Sequence, residues 1–145
     1  MSFQFALQKV MDLKEREKNN SQQEYEEAVR QFEKTATELY HLLKNKEEVE
    51  EAARKKLARG TSIYELQQNE SHLLRLQQQI YVQQRSTDRA REQMKRKQQK
   101  LVQSLIEYKK YEKIKALQKA EHEEEEKRRE AREMDEISLR IYARR

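Results

Sequence analysis

Lys56-Leu57-Ala58-Arg59-Gly60-Thr61-Ser62-Ile63-Tyr64-Glu65-Leu66 contains the single glycine of a 145-residue chain that has no proline. Glycine takes up the left-handed conformation that ends helices at little steric cost, and Ser62 followed by Glu65 has the spacing of a capping box that opens the next one. A chain nearly free of helix breakers and interrupted once predicts an all-α fold of two long helices in an antiparallel coiled-coil hairpin. Helix one is expected over about 3–59, the turn at 60–61 and helix two over about 62–142, in a single domain spanning 1–145. At 1.5 Å per residue the helices would run roughly 85 Å and roughly 120 Å. The longer C-terminal helix would then leave an overhang from about Lys119 onward.

Composition agrees with a linear core. Charged residues make up 41% of the chain and hydrophobic ones 34%, and the most abundant types are strong helix formers. Acidic and basic residues nearly balance and the apolar ones are periodic, which argues against a disordered chain. So few apolar residues cannot fill a globular interior, so burial must follow a seam. The absence of cysteine excludes disulfides and fits a reducing compartment. Met1-Ser2-Phe3-Gln4-Phe5-Ala6-Leu7 lacks the basic start and apolar run of a signal peptide, and no stretch is long and apolar enough for a bilayer. The expected location is cytoplasmic, without direct membrane insertion.

Before the break, Tyr25, Val29, Phe32, Ala36, Leu39, Leu43, Ala53 and Leu57 recur at heptad steps. After it, Ile63, Leu66, Leu73, Ile80, Met94, Leu101, Leu105 and Tyr108 keep one register, with polar residues at Glu70, Gln77, Gln84, Thr87, Arg91 and Gln98. A tight turn at Gly60 makes facing residue numbers sum to about 123, so that Phe32 meets Arg91 and Leu43 meets Ile80. The pattern lapses over Lys14 to Gln23 and again near Tyr108 to Leu117, where local unwinding or altered supercoiling is expected.

Catalysis is not expected. A phosphate-binding loop needs several glycines, and only Gly60 exists. His41, His72 and His122 are far apart and lack metal-ligand spacing, and carboxylates on a two-helix hairpin face water, where nothing shifts them toward acid–base work. No cofactor and no metal are expected. The charges are uneven: residues 1–59 carry twelve basic and twelve acidic side chains, residues 61–145 twenty and fifteen. The excess concentrates in Arg85, Arg89, Arg91, Lys95, Arg96, Lys97 and Lys100. Such a patch suits a solvated helix face, an acidic protein surface or a phosphate backbone, but it lacks the interleaved aromatics of nucleic-acid binders, and no nucleic-acid partner is expected.

In this frame Leu42, Asn45 and Val49 of helix one and His72, Leu76, Gln79 and Gln83 of helix two form one stripe beside the seam near the turn, while Tyr40, Leu74 and Tyr81 lie on the other side. The stripe either widens a thin core or docks a partner, since a hairpin has no third layer to cover it. At the far end, Glu121-His122-Glu123-Glu124-Glu125-Glu126 is followed by Lys127-Arg128-Arg129 and by Met134, Ile137, Leu139 and Ile141, an amphipathic ending suited to a partner.

Phe3-x-Phe5-x-Leu7-Gln8-Lys9 with Leu13-Lys14-Glu15, the lone turn at Gly60, the shorter first helix and the closing Glu133-Met134-Asp135-Glu136-Ile137-Ser138 together resemble the FliJ family of the flagellar type III export apparatus, over nearly the whole chain. The resemblance implies a non-enzymatic stalk of flagellar protein export and motility, held peripherally at the cytoplasmic face of the cell membrane. It implies as partners the hexameric export ATPase, FliI, the cytoplasmic domain of the export gate protein FlhA, and export chaperones. Leu42, Val49, His72 and Leu76 match the family's gate-facing positions, although His72 and Val49 replace aromatics found in some members. Phe3, Phe5, Met134, Asp135, Glu136, Ile137 and Ile141 fall at the termini, which would enter the ATPase ring, with the Gly60 end toward the gate. The equivalent stalk of a virulence-type secretion system would share the hairpin, and a generic coiled-coil scaffold or nucleic-acid-associated factor is a more distant alternative.

Overall fold

A computed structural model describes residues 2–144. Two helices account for nearly all of them, α1 (Gln8–Arg59) and α2 (Ile63–Ala143), packed against each other with no strand among the described residues. Both helices are unbroken through the two stretches where unwinding was expected.

The joint between them is built as its sequence dictates. Gly60 has φ +88°, and its amide donates to the Leu57 carbonyl at 3.3 Å, so the left-handed residue satisfies one of the last orphan carbonyls of α1. Lys56 and Arg59 in the final turn oppose the negative end of the helix dipole. Ser62 then caps α2, its Oγ accepting from the Glu65 amide at 3.2 Å. The Glu65 carboxylate takes the hydroxyl of Thr61, where the expected capping box would have it reach back to the Ser62 amide.

The chain divides into two compact units, one of residues 21–101 and the other of residues up to 20 with those from 102 on. In the first, the covered side chains of α1 follow alternating steps of three and four through Tyr25, Ala28, Phe32, Thr35, Leu39, Leu42, Lys46, Val49 and Ala53, and those of α2 through Leu66, Asn69, Leu73, Leu76, Ile80, Gln83, Thr87, Ala90, Met94 and Lys97. Phe32 with Arg91 (guanidinium 5.4 Å from the ring centroid) and Lys46 with Gln77 (2.7 Å) sum to 123, while the buried pair Thr35 and Thr87 sums to 122, so the seam lies within one residue of the pairing expected about Gly60.

Alternate layers of this seam correct the sequence reading. Tyr25, Phe32 and Leu39 are shared, but between them the structure covers Ala28, Thr35 and Leu42 more than Val29, Ala36 and Leu43; on α2 it covers Asn69, Leu76, Gln83, Ala90 and Lys97, leaving Glu70, Gln77, Gln84, Arg91 and Gln98 exposed. Helix one alone favours the other choice, because Val29, Ala36 and Leu43 are the more apolar set. Two facing helices must rotate together, however, and on α2 only the observed set supplies apolar side chains, Leu76 and Ala90, at the alternate positions. Leu76 and Ile80 are the most deeply buried apolar residues of the unit, at 3% and 2% exposure. Thr35 and Thr87 are buried as well. The Thr35 carbonyl accepts from the Gln83 amide nitrogen at 3.0 Å and from the Thr87 hydroxyl at 3.3 Å, forming a polar layer that joins the helices.

In the other unit, residues 2–5 are not helical and precede a turn at Ala6–Leu7, so helix one starts at Gln8 and not at Phe3. Phe3 and Phe5 are two residues apart, a spacing that puts side chains on one side of an extended segment but on different faces of a helix. Phe5 is buried, as is Met11, and the Phe3 ring lies 5.6 Å from His122. The Phe5 carbonyl accepts from the Gln8 amide at 3.1 Å, starting the helix without an acidic or hydroxyl cap. The polar stretch of α1 is accommodated by lysine stems: Lys14 and Lys18 occupy covered positions, with the Lys18 ammonium 4.2 Å from the Tyr108 ring centroid. Lys115 donates to Gln8 at 2.7 Å. From Lys127 to Arg144 every described residue is exposed, so the uncovered stretch begins later than the expected Lys119.

Gly60→Ala finds nothing within 4 Å of its new Cβ, so its cost is the left-handed backbone alone, about 1 kcal/mol. A thermal melt should show that loss, and Gly60→Asn should recover part of it.

Candidate partner-binding surfaces

The rotation of the seam redistributes the residues near the turn. Leu76 is core, Leu42 and Val49 are half-buried seam residues, and His72 alone of the four expected gate-facing residues is exposed. They therefore do not form one stripe outside the seam. Leu42 shows part of its side chain in a shallow groove with Arg75, Gln79 and Val82. The exposed apolar side chains of this unit instead include Tyr40, Leu43, Leu74 and Tyr81. The heptad frame places these four on the flank opposite the Leu42 groove, at outer positions one step from the seam. The Arg85 guanidinium lies 5.9 Å from the Tyr81 ring. The heptad rhythm of the sequence also puts Tyr40, Leu74 and Tyr81 on that side, but the expected register leaves Leu42, Val49 and Leu76 outside the core and so favours the other flank.

Much of the basic stretch is already engaged within its own unit. Lys97 and Lys100 both reach Glu24, at 3.2 Å and 2.9 Å, and hold its carboxyl below the usual glutamate range, Lys100 more strongly than Lys97. Arg91 pairs with Asp88 at 3.5 Å and Arg96 with Glu92 at 3.9 Å. These contacts describe a solvated ion-pair face better than an open phosphate track.

In the unit that holds both termini, Phe3 and Phe5 are drawn into the packing described above, whereas Met134, Asp135, Glu136, Ile137 and Ile141 are all exposed. The two groups are not brought together: Phe3 meets His122, about 18 Å along the helix from Met134 at 1.5 Å per residue. Among the described residues, no three His, Asp or Glu side chains are grouped as a metal site needs, and no helix is long and apolar enough to cross a membrane.

An all-helical pair turning once at a glycine, with an uncovered amphipathic end, is the arrangement onto which sequence comparison maps. The family model described as "Flagellar FliJ protein" matches residues 3–145. The chain belongs to the FliJ family. The Flagellar FliJ protein of Bacillus subtilis (strain 168) is 38% identical to it over 140 residues, covering 97% of this chain and 95% of the relative. No solved structure matches. The length of the FliJ match includes the Gly60 joint, the seam and the exposed C-terminal stretch alike.

Two measurements check this geometry. Leu76→Ala should cost about 2 kcal/mol, the low end for a buried leucine because a thin core collapses readily, whereas Leu74→Ala, 62% exposed on the same helix, should stay within about 0.5 kcal/mol; chemical denaturation with equal losses at both sites would contradict the assigned seam. Glu24 has a depressed folded-state pKa, so its contribution is present above the unfolded value and is lost as pH falls through the folded one. Glu24→Gln should therefore flatten the stability–pH curve on its acid limb, read by thermal melts below about pH 5.

Proposed function

We propose that this flagellar FliJ-family protein is a non-enzymatic coupling element of the type III export apparatus, linking the FliI ATPase ring to the FlhA export gate and assisting export chaperones from a peripheral position at the membrane. The observation that carries the reading is the C-terminal stretch of α2, helical to Ala143 with every described residue from Lys127 exposed. A helix that buries nothing of its own is suited to being buried by something else, and Met134, Ile137 and Ile141 recur at helical spacing along it.

In this reading the tail sits in the ATPase ring, with Met134, Ile137 and Ile141 as its apolar contacts and Asp135 and Glu136 as polar ones. Phe3 and Phe5 serve indirectly, by fixing the segment of α2 around His122 from which the tail emerges. The gate contact falls on the unit that contains the turn. His72 and the visible part of Leu42 would touch the partner, while Val49 and Leu76 hold the backbone beneath them. In this reading an asymmetry set by ATP hydrolysis is passed along the backbone hydrogen bonds of α1 and α2.

Truncation before Met134 should reduce stimulation of the export ATPase while circular dichroism per residue is unchanged; full stimulation by the truncated protein would reject the ring contact. His72→Glu should weaken capture by the gate domain without lowering the melting temperature. Unaltered capture would move that contact elsewhere on the unit.

A further inference from the structure

The end of α2, from Glu121 on and uncovered from Lys127, carries a charge pattern that its own helix explains only in part. Acidic residues fill 121–126 apart from His122, basic ones dominate 127–132, acidic ones return at 133–136, and Arg140 and Arg144 close the series. Alternation of four blocks, minus, plus, minus, plus, reads as plus, minus, plus, minus from the other end. Such a segment is complementary to itself when antiparallel and repulsive when parallel. Within the single helix Arg128 reaches Glu124 at 3.2 Å and His122 lies 3.4 Å from Glu126; other i,i+4 spacings are matched, as Glu125 with Arg129 and Arg132 with Glu136, and others opposed, as Arg128 with Arg132 and Glu126 with Glu130, so the helix answers only part of its own charge pattern.

We propose that the 121–144 stretch of α2 pairs antiparallel with the same stretch of a second copy of this chain. The heptad phase fixes the arrangement. With facing residue numbers summing to about 265, the contact line runs through Glu124, Lys127, Ala131, Met134, Ser138 and Ile141 and maps onto itself, with Met134 of each copy against Ala131 of the other, Ser138 against Lys127 and Ile141 against Glu124. On one flank Arg128 and Arg132 of each copy then face Asp135 of the other, and on the opposite flank Arg140 faces Glu123 while Glu130 and Glu133 face each other, so the selective charge pairing lies mainly on the first flank. Met134 and Ile141 are 64% and 55% exposed in the single chain, and they supply the apolar area the pair would cover. That area is small, so the association is weak and its partner choice is set by charge. Because the same tail is the segment assigned to the ATPase ring, self-pairing and ring entry exclude each other. The pairing does not depend on the ring reading and is measured without the ATPase.

Sedimentation velocity of the full-length chain at about 0.01 M and about 1 M salt, between which the screening length falls from about 30 Å to about 3 Å, is the first measurement. Dimers that dissociate as salt rises are expected. A chain that is monomeric at both, or a dimer that salt leaves intact or strengthens, as burial of the exposed Tyr40 and Tyr81 flank would give, overturns the proposal. The second measurement is a charge swap. Arg128→Glu with Arg132→Glu in one chain, and Asp135→Arg in another, should each abolish self-association, and mixing the two should restore a heterodimer; helicity measured on each confirms that they fold. Failure of the mixture to pair, with both variants helical, counts against the assigned register. Because the native chain has no cysteine, Ile141→Cys alone tests direction: oxidation that links two copies through this position indicates parallel pairing and overturns the antiparallel arrangement, whereas Ile141→Cys linking to Glu124→Cys of a second copy supports it.

Discussion

Two helices facing each other can bury one narrow line of side chains apiece, and most of this structure follows from how that line is filled. Few apolar residues are below a tenth exposed: Leu76 and Ile80 are the deepest in the unit of residues 21–101, and Phe5 and Met11 are buried in the other. Elsewhere the line is occupied by side chains that are apolar only in part. Lysine stems at Lys14 and Lys18 cover the contact while their ammonium groups reach outward, one of them onto the face of Tyr108. Arg91 over Phe32 does the same from the edge of the seam. The Tyr108 hydroxyl is held above its ordinary pKa, first by partial removal from water and then by Glu15 and Glu112.

The same narrowness means that nearly everything off the line is exposed, so exposure by itself does not distinguish a docking residue from any other. What distinguishes segments is pattern. Tyr40, Leu74 and Tyr81 stand out as bulky apolar side chains on one flank, and the 121–144 stretch stands out by the ordering of its charges. The basic run near Lys97, conspicuous in the sequence, is less distinctive in the structure because Glu24, Asp88 and Glu92 already meet much of its charge.

The architecture was legible in the sequence because its determinants are local: a glycine at a left-handed position, a serine cap behind it and a heptad rhythm on either side. The register followed, since a tight turn leaves little freedom in which residues face each other, and Phe32 meets Arg91 as its number requires. The side of the seam was not legible from helix one. Anchors seven residues apart can be joined by either of two adjacent series, and Val29, Ala36 and Leu43 outweigh Ala28, Thr35 and Leu42 in hydrophobicity; only the facing helix, through Leu76 and Ala90, decides. That single rotation moved Leu42, Val49 and Leu76 from the expected surface into the contact. The start of helix one was missed for a related reason, because the spacing of Phe3 and Phe5 has meaning only when the surface near His122 is known.

The layer formed by Thr35, Gln83 and Thr87 has a mechanical consequence. Apolar side chains in a heptad seam are nearly interchangeable, so helices held by them alone can slide past one another by a repeat, about 10 Å, and find a comparable fit. The Thr35 carbonyl accepts bonds from two particular side chains of the opposing helix, and a displaced register offers it neither. The Thr35 and Thr87 hydroxyls keep their bonds to the Phe32 and Gln83 carbonyls within their own helices, so what the shift forfeits is the cross-helix pair of bonds itself. Against a force along the helix axis the layer works as a shear key, giving a soft and mostly polar contact a buried point at which the two helices resist sliding.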